Sequence, residues 1–229
     1  MSSKPISLRA SATGISPVRA YIAPFLVFIA LRWLPIRPEW LAPARFVLVA
    51  ASIAVFSRRL LRWRLAFPWT SILLGVGVLL VWIGPDALWP GYRDFWLFHN
   101  GITGVAVSTL PARLKSDAFF IAIRVGESVV LVPILEELFW RGWLMRWLIR
   151  PAFEEVAFGQ YTPVSFWVTA LLFAAEHGPY WEVGLIAGVA YNWWIVRTRN
   201  LADCMLAHGV TNGVLAAYVL LHSQWQYWL

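Results

Sequence analysis

The chain has 229 residues, 60% of them apolar and 14% charged, and a net charge of +7. So small a polar complement cannot cover a soluble globule of this size, which makes lipid the expected solvent for most of it. The positive charge does not point to nucleic acid, because the Arg and Lys residues sit between apolar runs instead of clustering on one water-facing surface.

Residues 1–20, rich in Ser and carrying Lys4, Arg9 and Arg19, read as a cytoplasmic tail. The apolar run 21–34 contains Arg32 and lacks a small-residue cleavage site, which predicts a retained anchor rather than a removed signal. Further spans are predicted at 40–56, 66–84, 118–149, 164–173 with an extension to 181, 183–196 and 201–221. At about 20 apolar residues per crossing, this length holds roughly six to eight spans. The expectation is an all-α, polytopic transmembrane helix bundle of about seven spans. Residues 85–116 are the open segment: Trp89, Pro90, Gly91, Arg93 and Asp94 read as loop, while the stretch to Leu110 is weakly apolar. It fits a loop, an interfacial helix or a short eighth span.

Charge distribution favours seven. With the N-terminus inside, seven spans place eleven of the nineteen Lys and Arg residues in inner segments, four in outer segments and four within spans. An eighth span near residue 100 inverts everything after it and puts Arg146, Arg150, Arg197 and Arg199 outside. The sixteen Trp and seven Tyr suit headgroup depth or core. Cys204 is the sole cysteine, so an internal disulfide is excluded.

An ionised side chain at the bilayer centre costs about 2.5–3.5 kcal/mol on insertion scales, so intramembrane charges are functional candidates. The first group is Glu136, Glu137 and Arg141, just after Pro133. On a helix Glu137 and Arg141 share a face while Glu136 points about 100° away, so one carboxylate can be neutralised while its neighbour stays available. Pro133 removes a backbone hydrogen bond and predicts a kink there. The bland reading is an Arg–Glu pair that only holds helices together. The second group is Phe173 and His177, four residues apart in the run Phe173-Ala-Ala-Glu-His177, followed by the breaker Gly178-Pro179. The third is His208 and Asn212, four residues apart on one stripe. At 1.5 Å per residue, Glu136, His177 and His208 lie roughly 15, 20 and 12 Å from the inner helix ends, close enough to converge. A carboxylate, two imidazoles and an amide at one depth suggest water activation.

No His-Glu-x-x-His, Gly-x-Ser-x-Gly or Gly-x-Gly-Asp occurs, which disfavours serine and aspartyl chemistry. Cys204, one turn before His208, offers a Cys–His dyad as a minor alternative, against the usual reading of a buried lone Cys as packing.

Taken in order, Glu136-Glu137-x-x-x-Arg141, Phe173-x-x-x-His177 and His208-x-x-x-Asn212 resemble the signature of the CAAX protease and bacteriocin-processing (CPBP, or Abi) family of intramembrane proteases. The likeness spans 118–221 and is greatest to the bacterial CAAX prenyl protease-related branch. It implies an integral membrane endopeptidase, in a bacterial inner membrane, with a site reached from the cytoplasmic side. It further implies that Glu136 and His177 activate a water, that His208 and Asn212 hold the substrate carbonyl and its oxyanion, and that Glu137 and Arg141 support the site. The implied partners are membrane lipid and a membrane-associated peptide or protein substrate, prenylated if processing is of the CAAX type. Residues 21–116 match nothing recognisable, leaving 117–229 as the catalytic helices. A metal-free glutamate mechanism is the leading expectation. Zn²⁺ bound by Glu136, His177 and His208 is the competing one, since two His, one Glu and a water make an open catalytic site. Two other classes compete with a peptidase: a non-catalytic membrane scaffold or immunity-type protein, and a proton-coupled transporter, which the absence of an internal repeat disfavours.

Overall fold

A computed structural model describes residues 16–228. The expected tail, 1–20, lies mostly outside the described residues, and its last four positions already belong to the first helix. Seven long helices follow: α1 Pro17–Arg32, α2 Pro38–Ser57, α3 Pro68–Leu88, α4 Ala118–Trp147, α5 Pro163–Ala175, α6 Trp181–Thr198 and α7 Leu201–His222. Among the described residues there is no strand. The fold is an all-helical membrane bundle. Four of the helices, α2, α3, α4 and α7, are long and apolar enough to cross a bilayer. In the most apolar stretch of α3 only 22% of residues are buried inside the protein, so most of that helix faces lipid. Leu73 and Leu80, both outward-facing, belong to that surface.

Pro stands in the first turn of α1, α2, α3 and α5, where its missing N–H costs nothing and its fixed φ favours helix entry. Of the segment 85–116, which the sequence left open, residues 85–88 complete α3 and residues 89–116 contain no α-helix. They form two 3₁₀ turns, Tyr92–Asp94 and Ala112–Lys115, joined by extended and turning chain. Seven helices, not eight, therefore bring Arg59, Arg62, Arg64, Arg146 and Arg199 to the same end of the bundle.

The extension of α5 to residue 181 is corrected. The helix stops at Ala175 because Gly178 adopts φ +55°, a left-handed conformation that glycine takes without a Cβ penalty, and Pro179 cannot continue the helix. The disturbance predicted at Pro133 takes the form of two π-helical stretches, Glu127–Leu131 and Leu138–Leu144, which bracket the α-helical turn Val132–Glu137. Such wide turns inside a helix are frequent at functional sites.

Close approaches fix the frame around that turn. Gly75 of α3 sits directly against the Ala207 carbonyl and Val210 of α7, where any Cβ would collide. Buried Asp203, near the start of α7, accepts hydrogen bonds from the backbone N–H groups of Ala66 and Phe67 at 3.1–3.3 Å, anchoring the entry to α3. The core around the charged residues is made of Leu135, Leu138, Phe173, Tyr191 and Ile195, all nearly or fully buried.

Candidate active site

Glu137 and Arg141, four residues apart on α4, are both completely buried and form an ion pair, Arg141 Nη1 to Glu137 Oε1 at 3.1 Å. Two fully buried charges persist only if the remaining donors are satisfied. Arg141 Nε donates to Asn192 Oδ1 at 2.9 Å, and Nη2 donates to the Gly188 carbonyl at 3.2 Å, both on α6. The Phe173 ring centre lies 4.6 Å from the guanidinium carbon. Asn192 is itself held by its amide, which donates to the Phe166 carbonyl on α5 at 2.8 Å. One arginine thus ties α4, α5 and α6 together.

The same Oε1 of Glu137 lies 3.0 Å from Nδ1 of His208 on α7. Because a carboxylate only accepts, Nδ1 carries the proton of that bond, and the imidazole is oriented so that Nε2 faces Glu136. Nε2 lies 4.0 Å from Glu136 Oε2, and that oxygen has no hydrogen-bond partner in the structure. Tyr191 stacks on the His208 ring at 5.1 Å and 21°, and its own hydroxyl donates to Thr211 at 2.7 Å. Glu137 is thus paired with Arg141 and holds His208, while Glu136 projects towards the same imidazole with an unpartnered oxygen.

His177 stands in the turn just beyond α5. Its Nδ1 donates to the Phe173 carbonyl at 2.7 Å, which leaves Nε2 without a proton when the ring is neutral. Phe173 is the common wall, with its ring 4.7 Å from His177 and 6.1 Å from His208. Trp82 of α3 meets the other side of His177 edge to face. Asn212 is one turn beyond His208 and also faces α4, where its amide donates to the Ser128 carbonyl at 2.8 Å, inside the first π stretch. An amide nitrogen has two hydrogens, so one remains for another acceptor.

Three contributors escaped the sequence reading as site members. Glu176 is a third carboxylate, whose Oε1 accepts from the Trp140 indole at 3.2 Å. A charged residue in an apolar run next to a His was its available signal. Asn192 and Tyr191 sit at the middle of α6, where a polar residue in an otherwise apolar helix was the clue. Cys204 is fully buried, and its Sγ points to the Tyr191 carbonyl at 3.8 Å, an arrangement of packing and not of a dyad with His208. Among the described residues, no three His, Cys, Asp or Glu side chains are grouped as a metal would need. Glu136, His177 and His208, the alternative zinc ligands, form no such group among the described residues.

Residues 115–214 match the family model described as type II CAAX prenyl endopeptidase Rce1-like. This segment is Rce1-like. The Rce1-like segment begins just before α4 and reaches past Asn212, so it contains every residue of the charged site. No curated protein and no solved structure matches the chain. With four helices long and apolar enough to cross a bilayer, the chain is an integral membrane protein, and its residues 115–214 are similar to a membrane endopeptidase family.

Proposed function

We propose that the protein is an intramembrane endopeptidase in which Glu136, assisted by His177, activates a water for attack on a peptide bond of a membrane-associated substrate. The observation that carries this reading is the relay Arg141–Glu137–His208 ending at the unpartnered Oε2 of Glu136. A purely structural ion pair would leave Glu136 out of a buried site or give it a partner. Here Glu136 is buried beside the pair and its Oε2 is free of one, as is the Oε2 of Glu137.

In this mechanism Glu136 is the general base, taking a proton from the water as the oxygen attacks the substrate carbonyl, a contribution typically worth about 10²–10⁴ in rate. His177, with Nδ1 committed to Phe173, turns its Nε2 lone pair to the same water. The carbonyl becomes an oxyanion. His208, held through Nδ1–H by Glu137, turns its Nε2 edge to that oxyanion and donates to it when that nitrogen carries a proton. The free N–H of Asn212 is the second donor, an arrangement of the oxyanion-hole type. Glu136 then returns the proton to the leaving amine, restoring the carboxylate. Glu137 and Arg141 act through His208 and are positioning residues. A prenylated C-terminal peptide is the substrate class the family match supports.

The test is cleavage of a pool of membrane-anchored and prenylated peptides by the purified protein in detergent, wild type beside Glu136→Gln, with and without a chelator. Cleavage abolished by Glu136→Gln and retained with chelator is the expected result. Full turnover by the variant refutes the mechanism, and loss with chelator refutes its metal-free form. If neither protein cleaves any peptide while both remain folded, the scaffold reading replaces the enzymatic one.

A further inference from the structure

At the arginine-rich end of the bundle, where α2 turns into α3, α4 leaves and α6 turns into α7, lies a cavity of about 450 Å³. Its wall carries five arginines, Arg59, Arg62, Arg64, Arg146 and Arg199, against one carboxylate, Glu154. Among the described residues none of the five takes part in an ion pair. Four are exposed, which is unremarkable for surface cations.

Arg146 is different. It is only 6% exposed, and its partners are the Val156 carbonyl on Nε at 2.7 Å, the Gly142 carbonyl on Nη1 at 2.9 Å, the Tyr21 side chain and the rings of Phe158 and Phe153, Phe158 nearest at 4.5 Å. Those are neutral dipoles and π faces. A cation held out of water with no ion-pair partner is costly, and an anion entering the cavity relieves it.

The other lining residues say what kind of anion. Leu60, Leu61, Leu201 and Met205 share the wall with the arginines. The cavity also sits at the depth where apolar helices begin and end, at Pro68 of α3, Thr198 of α6 and Leu201 of α7. An anion attached to an apolar stem, at the boundary between headgroups and hydrocarbon, describes a phospholipid. We propose that this cavity binds the phosphate of an anionic glycerophospholipid, with Arg146 at its floor and Arg62, Arg64 and Arg199 at its rim. The proposal does not depend on the peptidase reading, because none of these residues belongs to the charged site.

The test uses full-length protein in zwitterionic detergent, titrated separately with short-chain phosphatidylglycerol, phosphatidylcholine of the same chain length and inorganic phosphate. Binding is read as apparent Kd from the ligand-dependent rise in Tm. Wild type should respond to phosphatidylglycerol and little to phosphatidylcholine. Basic residues near an anionic surface contribute about fivefold in affinity each, so the triple variant R62Q/R64Q/R199Q should bind roughly a hundredfold more weakly. These three are exposed, so the fold should persist, and the corresponding triple Lys variant should recover most of the binding. Arg37→Gln, at the opposite end of the bundle, should leave the Kd unchanged. Equal response to both lipids, or an unchanged Kd in the triple Gln variant, overturns the proposal. Inorganic phosphate binding as tightly as the lipid overturns the assignment to a lipid headgroup.

Discussion

Replacing Arg141 by Met tests the reading that one buried ion pair organises the catalytic helices. Met keeps the unbranched stem while removing the charge and the guanidinium that lies over the Phe173 ring. It also deletes hydrogen bonds to Asn192, Glu137 and Gly188 and leaves Glu137, with no exposed surface, facing only His208. Breaking a buried pair from one side costs about 3–5 kcal/mol, because the surviving charge is uncompensated. That corresponds to roughly two to three and a half orders of magnitude in the folding constant. Glu137→Gln should cost a similar amount. The double variant should cost less than the sum by about 2–3 kcal/mol, since neither charge is left alone. Reversible unfolding in mixed micelles measures all four corners of the cycle. An R141M variant within about 0.5 kcal/mol of wild type, or strictly additive variants, would refute the argument.

Other substitutions separate chemistry from framework. Glu136→Gln should reduce cleavage by about 10²–10⁴ yet shift Tm little, because its Oε2 has no hydrogen-bond partner to lose; a large drop in Tm would contradict that geometry. Gly75→Ala should destabilise by about 1–3 kcal/mol, because the new methyl meets the Ala207 carbonyl and Val210, and thermal unfolding in detergent checks it. Asp203→Ala should cost about 1–2 kcal/mol through loss of the acceptor for the Ala66 and Phe67 N–H groups; amide exchange at those two positions should rise selectively.

Helix existence was legible from apolar runs bounded by Pro and Gly, and the predicted spans agree with the seven helices to within a few residues at most ends. The pairing of Glu137 with Arg141 was legible too, because it depends only on helical periodicity. What periodicity cannot encode is contact between distant segments. The bond from His208 to Glu137 crosses 71 residues of sequence, and the engagement of Asn212 by Ser128 depends on a wide π turn. Pro133 marked where backbone bonding is disturbed but not the form the disturbance takes. The segment 85–116 was ambiguous because its aromatic residues serve equally in a membrane interface and in a folded loop; it became the latter around Arg93, which pairs with Asp86 and Glu182.

Helix α5 has 13 residues and is therefore about 20 Å long, some 10 Å short of a hydrocarbon slab of about 30 Å. The missing height is filled by the segment 89–117: Arg93 Nη1 donates to the Pro179 carbonyl at 2.7 Å, and the Trp181 indole donates to the Leu97 carbonyl at 3.3 Å. Non-helical backbone survives at membrane depth only when other protein or water satisfies it. The truncated helix thus ends under a ceiling of peptide dipoles where a full-length one would continue through hydrocarbon.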